Sequence, residues 1–442
     1  MIGREGATAI LRKAIDFSDA EQTQAVLIGG ESALTRLAEN VIHQNVAESD
    51  ARLTVKAVFG RKIGTASGND LSDEGVRRTA ARACEIARIN REDRRFVSLP
   101  APTGDAYPQV RCFSERTAAF GAAKRAAAAG IFAAEARSAG FRAAGSLGVQ
   151  AGEIAIANSL GVLAYSPHTR VEASTVVMSG AGAGYAGDSA VDVDDISFAE
   201  MARTAVQKCR DSLNAAALPP GDYEVVLEPE AVGAMLLFAI RVGFHHVLYR
   251  QGGSYLSRKL GRRVLGDNVT IWDDGTDPRG LPMPFDFEGT PKRKLMLFEN
   301  GVFRNMVYDS YTAGEAGAKT TGHSIPYADF GAMPMNVFVQ PGGASIQDMI
   351  KSTERGILVT RFHYTNLVRP GKVVITGMTR DGTFLIEGGK VKGPVMNMRF
   401  TQSVLEALRC VEMVGSEPRR LGMANVPAMK IGKFSFTGAT EY

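Results

Sequence analysis

The run Leu218-Pro-Pro-Gly-Asp222 constrains the fold of this chain more than any other feature. Two successive prolines cannot continue a helix or sit inside a central strand, and the glycine and aspartate after them are turn residues. Before this break, helical and strand-like patterns are mixed. After it, short strands and turns dominate, with Gly and Pro frequent through Gly415. Segments that do not alternate strand and helix regularly predict an α+β protein rather than a doubly wound parallel sheet. The break thus predicts two domains, an N-terminal mixed α/β domain over 1–217 and a C-terminal β-rich domain of mostly antiparallel strands over 218–442. A length of 442 residues suits two domains.

Upstream, Glu5 to Asp16 reads as a helix and Gln24 to Ile28 as a strand. Ser32 to Asn40 places Leu34, Leu37 and Ala38 at helical spacing, and Val41 to Ala47 alternates. Arg52 to Phe59 alternates as Leu53, Val55, Ala57 and Phe59, with Arg61 to Ser67 as its hairpin partner. Leu71 to Arg88 reads as a helix opened by Ser72. Asn90 to Val110, with Pro100, Pro102 and Pro108, reads as an irregular excursion over the surface. Ser114 to Arg137 is Ala-rich and helical, and short β-like stretches follow between Gly145 and Ser179. Ser197 and Glu200 stand at capping-box spacing at the start of a helix to Ala215. Downstream, a helix from Glu230 to about Val242 precedes strands at Lys294 to Phe298, Val337 to Gln340, Val373 to Thr376 and Thr383 to Ile386. An amphipathic helix lies near Thr401 to Val411.

Composition excludes several classes. Hydrophobic residues make up 45% and charged residues 22%, enough apolar material for a core and too much for wholesale disorder. The formal charge of +4 is spread along the chain, with no basic block interleaved with aromatics, so no nucleic-acid partner is expected. Cys84, Cys112, Cys209 and Cys410 are scattered, without a Cys-x-x-Cys pair, and read as reduced, buried thiols. No export signal is visible at the N-terminus. The longest apolar run, Ala231 to Ile240, is too short for a bilayer, which needs about 20 residues. The expectation is a soluble, cytoplasmic protein without a membrane partner.

Three local motifs invite chemistry. Gly182-Ala-Gly-Tyr-Ala-Gly187 matches the dinucleotide fingerprint, but Asp188, Asp192, Asp194 and Asp195 follow where a helix N-terminus should hold a pyrophosphate. A flexible turn without nicotinamide or flavin is expected. His245 and His246 are adjacent, so their side chains diverge and do not chelate a metal as a pair. Asp273, Asp274, Asp277, Asp286 and Glu288 cluster around prolines, but not at the spacing of a calcium loop, so turn chemistry is expected.

A family resemblance rests on short motifs in order: Leu227-Glu-Pro-Glu-Ala-Val-Gly-Ala234, Gly253-Ser-Tyr-Leu, Asp273-Asp274, Phe285-Asp-Phe-Glu-Gly289, Thr321-Gly-His323, Thr379-Arg-Asp-Gly-Thr-Phe-Leu-Ile-Glu387 and Asn397-Met-Arg-Phe400. Upstream, Thr35-Arg36, Asn40 and Ile42-His-Gln-Asn45 add to it. Together they resemble the TldD/PmbA family, also called modulator of DNA gyrase, over almost the whole chain. The resemblance implies a two-domain α+β protein of cytoplasmic peptide processing or proteolysis. Its TldD branch carries a His-Glu-x-x-x-His zinc motif on a helix, with a later Cys as third ligand.

Aligning Glu230 with the motif glutamate puts Pro229 and Ala234 at the two histidine positions, and Arg419 to Ser435 contains no Cys. The chain therefore resembles the PmbA, or TldE, branch. This implies a metal-free, non-catalytic partner that shapes a peptide-binding chamber with a TldD-type zinc subunit, zinc residing only in that subunit, and unfolded or modified peptide as substrate. Two alternatives stay open. One is a stand-alone diverged enzyme with a relocated site drawn from His245, His246, His323, His363, Tyr364, Arg361 and Arg380. The other is a structural homodimer.

Overall fold

In the computed structural model, which describes residues 1–180, 182–326 and 331–439, the chain is a mixed α+β protein built on three sheets. Its first part comprises α1 (Arg4–Asp16), β1 (Gln22–Ala38), β2 (Val41–Phe59), β3 (Lys62–Gly68), α2 (Asp73–Ile89), α3 (Glu115–Ala118), α4 (Ala122–Ser138), β4 (Arg142–Asn158), β5 (Leu163–Ser179), β6 (Gly182–Ala190) and α5 (Phe198–Asp211). The six strands form one antiparallel sheet in the order β3-β2-β1-β4-β5-β6. Alternation decides its faces. Leu53, Val55 and Ala57 of β2 are buried with Val76, Ala80 and Ala83 of α2, while Thr54 and Lys56 point to the opposite face. Ser72 caps α2 by accepting the Gly75 N–H, and Asp73 and Glu74 sit where the helix dipole favours negative charge.

Two local expectations are corrected. Ser32 to Asn40 is not helical but largely continues β1, which pairs with β2 on one side and β4 on the other. Pairing on both edges outweighs the local spacing of Leu34 and Leu37. Gly182 to Gly187 is not a flexible turn but edge strand β6. Its glycines let α5 lie directly on the strand. A Cβ at Gly184 would stand 2.1 Å from the Ala205 carbonyl oxygen and 2.5 Å from the Cys209 amide nitrogen.

The second part comprises β7 (Gly221–Leu227), α6 (Pro229–Gly243), α7 (His246–Gln251), β8 (Ile271–Asp273), β9 (Leu295–Glu299), β10 (Val302–Phe303), α8 (Ser310–Ala316), β11 (Val337–Val339), α9 (Ile346–Lys351), β12 (Arg355–Arg369), β13 (Val374–Glu387), β14 (Lys390–Pro394), β15 (Met398–Ser403), α10 (Val404–Arg409), β16 (Val411–Val414), β17 (Arg419–Leu421), β18 (Ala424–Val426) and β19 (Met429–Ala439). One sheet runs β10-β9-β8-β11-β18-β17. The other runs β12-β7-β19-β15-β13-β14, and β12 also pairs with β13, so five of its strands close into a ring. Closure removes the free edge of β12 and leaves β14 as an edge. The pairings are antiparallel except β7 with β12 and β11 with β18. Phe362, Phe400 and Phe434 pack together, with ring centroids 4.4–5.7 Å apart, in a core that also takes the apolar run of α6.

The two parts are packed against each other. Ile154, Ile156 and Ala164 share an apolar cluster with Phe285, and Tyr311 packs on Val58, Phe96 and Leu99. The 90–110 segment is irregular, as expected, but it is more than a surface excursion. It buries Phe96 and Leu99, the Tyr107 hydroxyl donates to the Gly289 carbonyl at 2.9 Å, and Asp93 accepts from the Tyr311 hydroxyl at 2.7 Å. Cys84, Cys112 and Cys209 are buried, whereas Cys410, at the end of α10, is exposed. Among the described residues no helix is long and apolar enough to cross a membrane.

Candidate active site

The turn from β7 into α6 positions Glu230. The Glu228 amide donates to the Val359 carbonyl of the neighbouring strand, and Pro229 takes the first helical position, where a missing N–H costs nothing. Glu230 thereby enters a cavity of about 380 Å³ lined also by Tyr185, Gly233, Ala234, Leu237, Arg361 and the 421–424 turn. Its Oε1 is 3.8 Å from the Arg419 guanidinium. Its Oε2 is buried and has no hydrogen-bond partner among the described residues. Burial pushes the carboxyl above the usual range, against the pull of Lys208 and Arg419. Beside it, Arg361 pairs with the buried Asp381, and its guanidinium lies 4.1 Å from the centroid of the Tyr185 ring. Lys208 is held by Glu228.

The donor set does not suit zinc. Zinc takes imidazole, thiolate and carboxylate ligands. Here Pro229 and Ala234 on either side of Glu230 have no side-chain lone pair for a metal, and the lining offers one carboxylate and one phenol beside guanidinium groups. Nearby cations oppose a further cation. Among the described residues no group of three or more His, Cys, Asp or Glu side chains is placed to hold a metal. What the arrangement provides is a desolvated carboxyl able to keep or exchange a proton beside a phenol and two guanidinium groups.

Arg361 and Glu230 line this cavity, Arg380 adjoins it 3.8 Å from Asp381, His363 lies close enough to feel both arginines, and the other candidates lie elsewhere. His245 caps α7. His246 opens α7, buried, with Nε2 3.2 Å from Glu315 Oε2 and its ring against Tyr308. It lines a separate cavity of about 530 Å³, and burial lowers its pKa. His323 is fully buried, with Nε2 3.1 Å from Asp273 and Nδ1 2.8 Å from the Thr321 carbonyl. His363 stacks edge-on against the exposed Tyr364 on β12, and Arg380 faces Arg361 across the β12–β13 pairing. The acidic residues accept hydrogen bonds, some within their own turns and some, as at Asp273 and Glu288, across the fold. Asp273 accepts the Met335 and Asn336 N–H groups at 2.7 Å, and Asp286 those of Glu288, Thr290 and Ser324 at 2.9 Å. Asp274 and Asp277 cap their own turns.

Sequence reasoning missed Tyr185, Asp381 and Arg419. The one available signal was Tyr185 itself, the single large side chain in the Gly182 to Gly187 run, whose neighbours admit α5 and leave the ring to face β12 and β17.

The chain matches three domains of one family in order: PmbA/TldA metallopeptidase domain 1 over 25–87, the central domain over 115–213 and the C-terminal domain over 220–438. It belongs to the PmbA/TldD metallopeptidase family. Metalloprotease PmbA of Escherichia coli O157:H7 is 24% identical over 447 residues, covering 97% of this chain and 95% of that protein. A metalloprotease TldD homolog of Buchnera aphidicola is 31% identical over 204 residues, 45% of this chain and 41% of that protein. For several curated relatives the match likewise spans only about half of their length. The fold is that of TldE from Thermococcus kodakarensis, with a TM-score of 0.89 at 21% identity over 98% of this chain and 99% of that one.

Proposed function

We propose that this chain is the non-catalytic, metal-free member of a peptide-processing metallopeptidase pair, and that it shapes a peptide-binding chamber with a zinc-bearing TldD-type subunit. One observation carries the reading: α6 delivers Glu230 into a cavity while Pro229 and Ala234 stand where imidazole ligands would be needed. Amide hydrolysis at neutral pH needs an activated water and a stabilised oxyanion, and zinc supplies both. Glu230 without the metal supplies neither. Strand edges such as β14, which among the described residues pairs with no strand other than β13, suit an extended peptide joined by backbone hydrogen bonds. The buried thiols of Cys84, Cys112 and Cys209 suit a reducing compartment, and we assign the pair to the cytoplasm.

The test compares the chain alone, its Glu230→Gln variant, and each mixed with a zinc-bearing homologue on an unfolded peptide. The expected outcome is no cleavage and no stoichiometric zinc in the chain alone, a stable complex with the homologue, and the same cleavage rate with either form of the chain. Chelator-sensitive cleavage by the chain alone, abolished by Glu230→Gln, overturns the reading.

A further inference from the structure

The larger cavity, about 530 Å³, lies between the first sheet and the second part of the chain, away from Glu230. Its floor is the sheet face opposite α1 and α2. The pairing register places Lys56 of β2 beside Gln24 of β1 and Thr65 of β3, in the middle of that floor. Apolar walls come from Val26, Ile63, Phe96, Leu99, Phe287 and Ile325. A volume of this size, mostly apolar with a few convergent polar groups, is that of a small-ligand site.

The charged groups on the walls are almost all satisfied. Glu315 is held by Arg250 at 2.7 Å, His246 at 3.2 Å and Arg95 at 3.3 Å. Both oxygens of Glu288 accept from Ser310, and Asp309 caps α8 through Thr312. Lys56 alone has no hydrogen-bond or ion-pair partner among the described residues, although it lies near enough to Glu288 to attract its carboxylate. Gln24, 3% exposed, donates through Nε2 to the Phe287 carbonyl at 3.3 Å, while its Oε1 has no hydrogen-bond partner among the described residues. An ammonium and an amide oxygen side by side on an apolar floor, neither with a hydrogen-bond partner among the described residues, match a ligand that carries a carboxylate, an N–H and an apolar body.

We infer that this cavity takes the C-terminal residue of an apolar peptide, with Lys56 pairing the terminal carboxylate, Gln24 Oε1 accepting the residue's N–H, and the surrounding walls holding its side chain. This rests on the reading of the chain as a peptide-handling subunit and adds where the peptide ends. A charge-assisted hydrogen bond inside a largely apolar site discriminates by about tenfold or more.

The test is titration calorimetry of the full chain with acetyl-Ala-Ala-Phe as the free acid, the same peptide as its C-terminal amide, and decanoate as an apolar carboxylate without an N–H. The free acid should bind about tenfold or more tighter than the amide, and Lys56→Met should remove that preference while Lys56→Arg keeps it. Among the described residues Lys56 makes no hydrogen bond or ion pair, so circular dichroism should show the Met variant folded. Equal binding of acid and amide, a preference that survives Lys56→Met, or binding of decanoate alone overturns the inference. Cleavage by the mixed pair, measured separately, divides the two readings. A pair that cleaves while the chain shows no acid preference overturns the inference and leaves the proposed function standing. A Lys56-dependent preference without cleavage supports the inference alone.

Discussion

At the residue scale, two buried carboxyl groups differ in what surrounds them. Glu230 keeps an oxygen without a hydrogen-bond partner among the described residues, and burial dominates its environment. Asp273 is more deeply buried, and burial alone would raise it, but His323, Lys292 and the Asn336 N–H together hold it at about 2. A carboxyl whose folded pKa lies below its unfolded value of about 3.9 adds stability above that value and loses it as pH falls through the folded pKa. The contribution of Asp273 is therefore complete above about pH 4 and fades toward pH 2. Asp273→Asn should cost about 3–5 kcal/mol at pH 7, because it strands His323 and weakens two backbone hydrogen bonds. Urea unfolding at pH 7 and pH 3 checks this, and the gap between variant and parent should narrow at the lower pH.

At the element scale, β6 and α5 show why a literal motif match misleads. The glycines that resemble a phosphate loop are spaced by 2 at Gly182 and Gly184, the period of one strand face, and that face carries a helix. At Gly184 the atoms a Cβ would strike are helix backbone, which cannot rotate away as a side chain can. Gly184→Ala should destabilise by about 1–3 kcal/mol through overpacking. Equilibrium denaturation reads this directly, and an unchanged midpoint would show that α5 can shift freely on the strand. The Leu34 and Leu37 spacing misled for a related reason. Helical and strand periods are hard to tell apart over nine residues, and only the partners of β1 on both sides decide between them.

At the scale of the whole molecule, the apolar clusters that join the two parts imply that neither unfolds far alone. Phe285 is buried among Ile154, Ile156 and Ala164, and Phe96 and Leu99 would be bared if Tyr311 withdrew. Polar ties cross the same boundary: Arg420 donates to the Ser189 carbonyl, and Arg361 lies over Tyr185. Scanning calorimetry of the chain should show one unfolding transition with matching calorimetric and van't Hoff enthalpies. Two separated transitions would mean that these contacts are too weak to couple the parts.

Local chemistry by itself determined much of this protein. The Pro-Pro-Gly-Asp turn, the alternation of Arg52 to Phe59, the capped helix after Ser72 and the α+β character follow from short-range rules, because turns, caps and period-2 faces depend on residues close along the chain. The motif position of Glu230, with Pro229 and Ala234 around it, was legible for the same reason. Only the tertiary structure decided that His246, His323 and His363 lie apart. It also decided that Tyr185, Asp381 and Arg419 gather near Glu230, and that Lys56 faces a cavity with no hydrogen bond or ion pair among the described residues. Those relations join residues tens to hundreds of positions apart, and strand register and ring closure, which no local pattern encodes, set the distances between them.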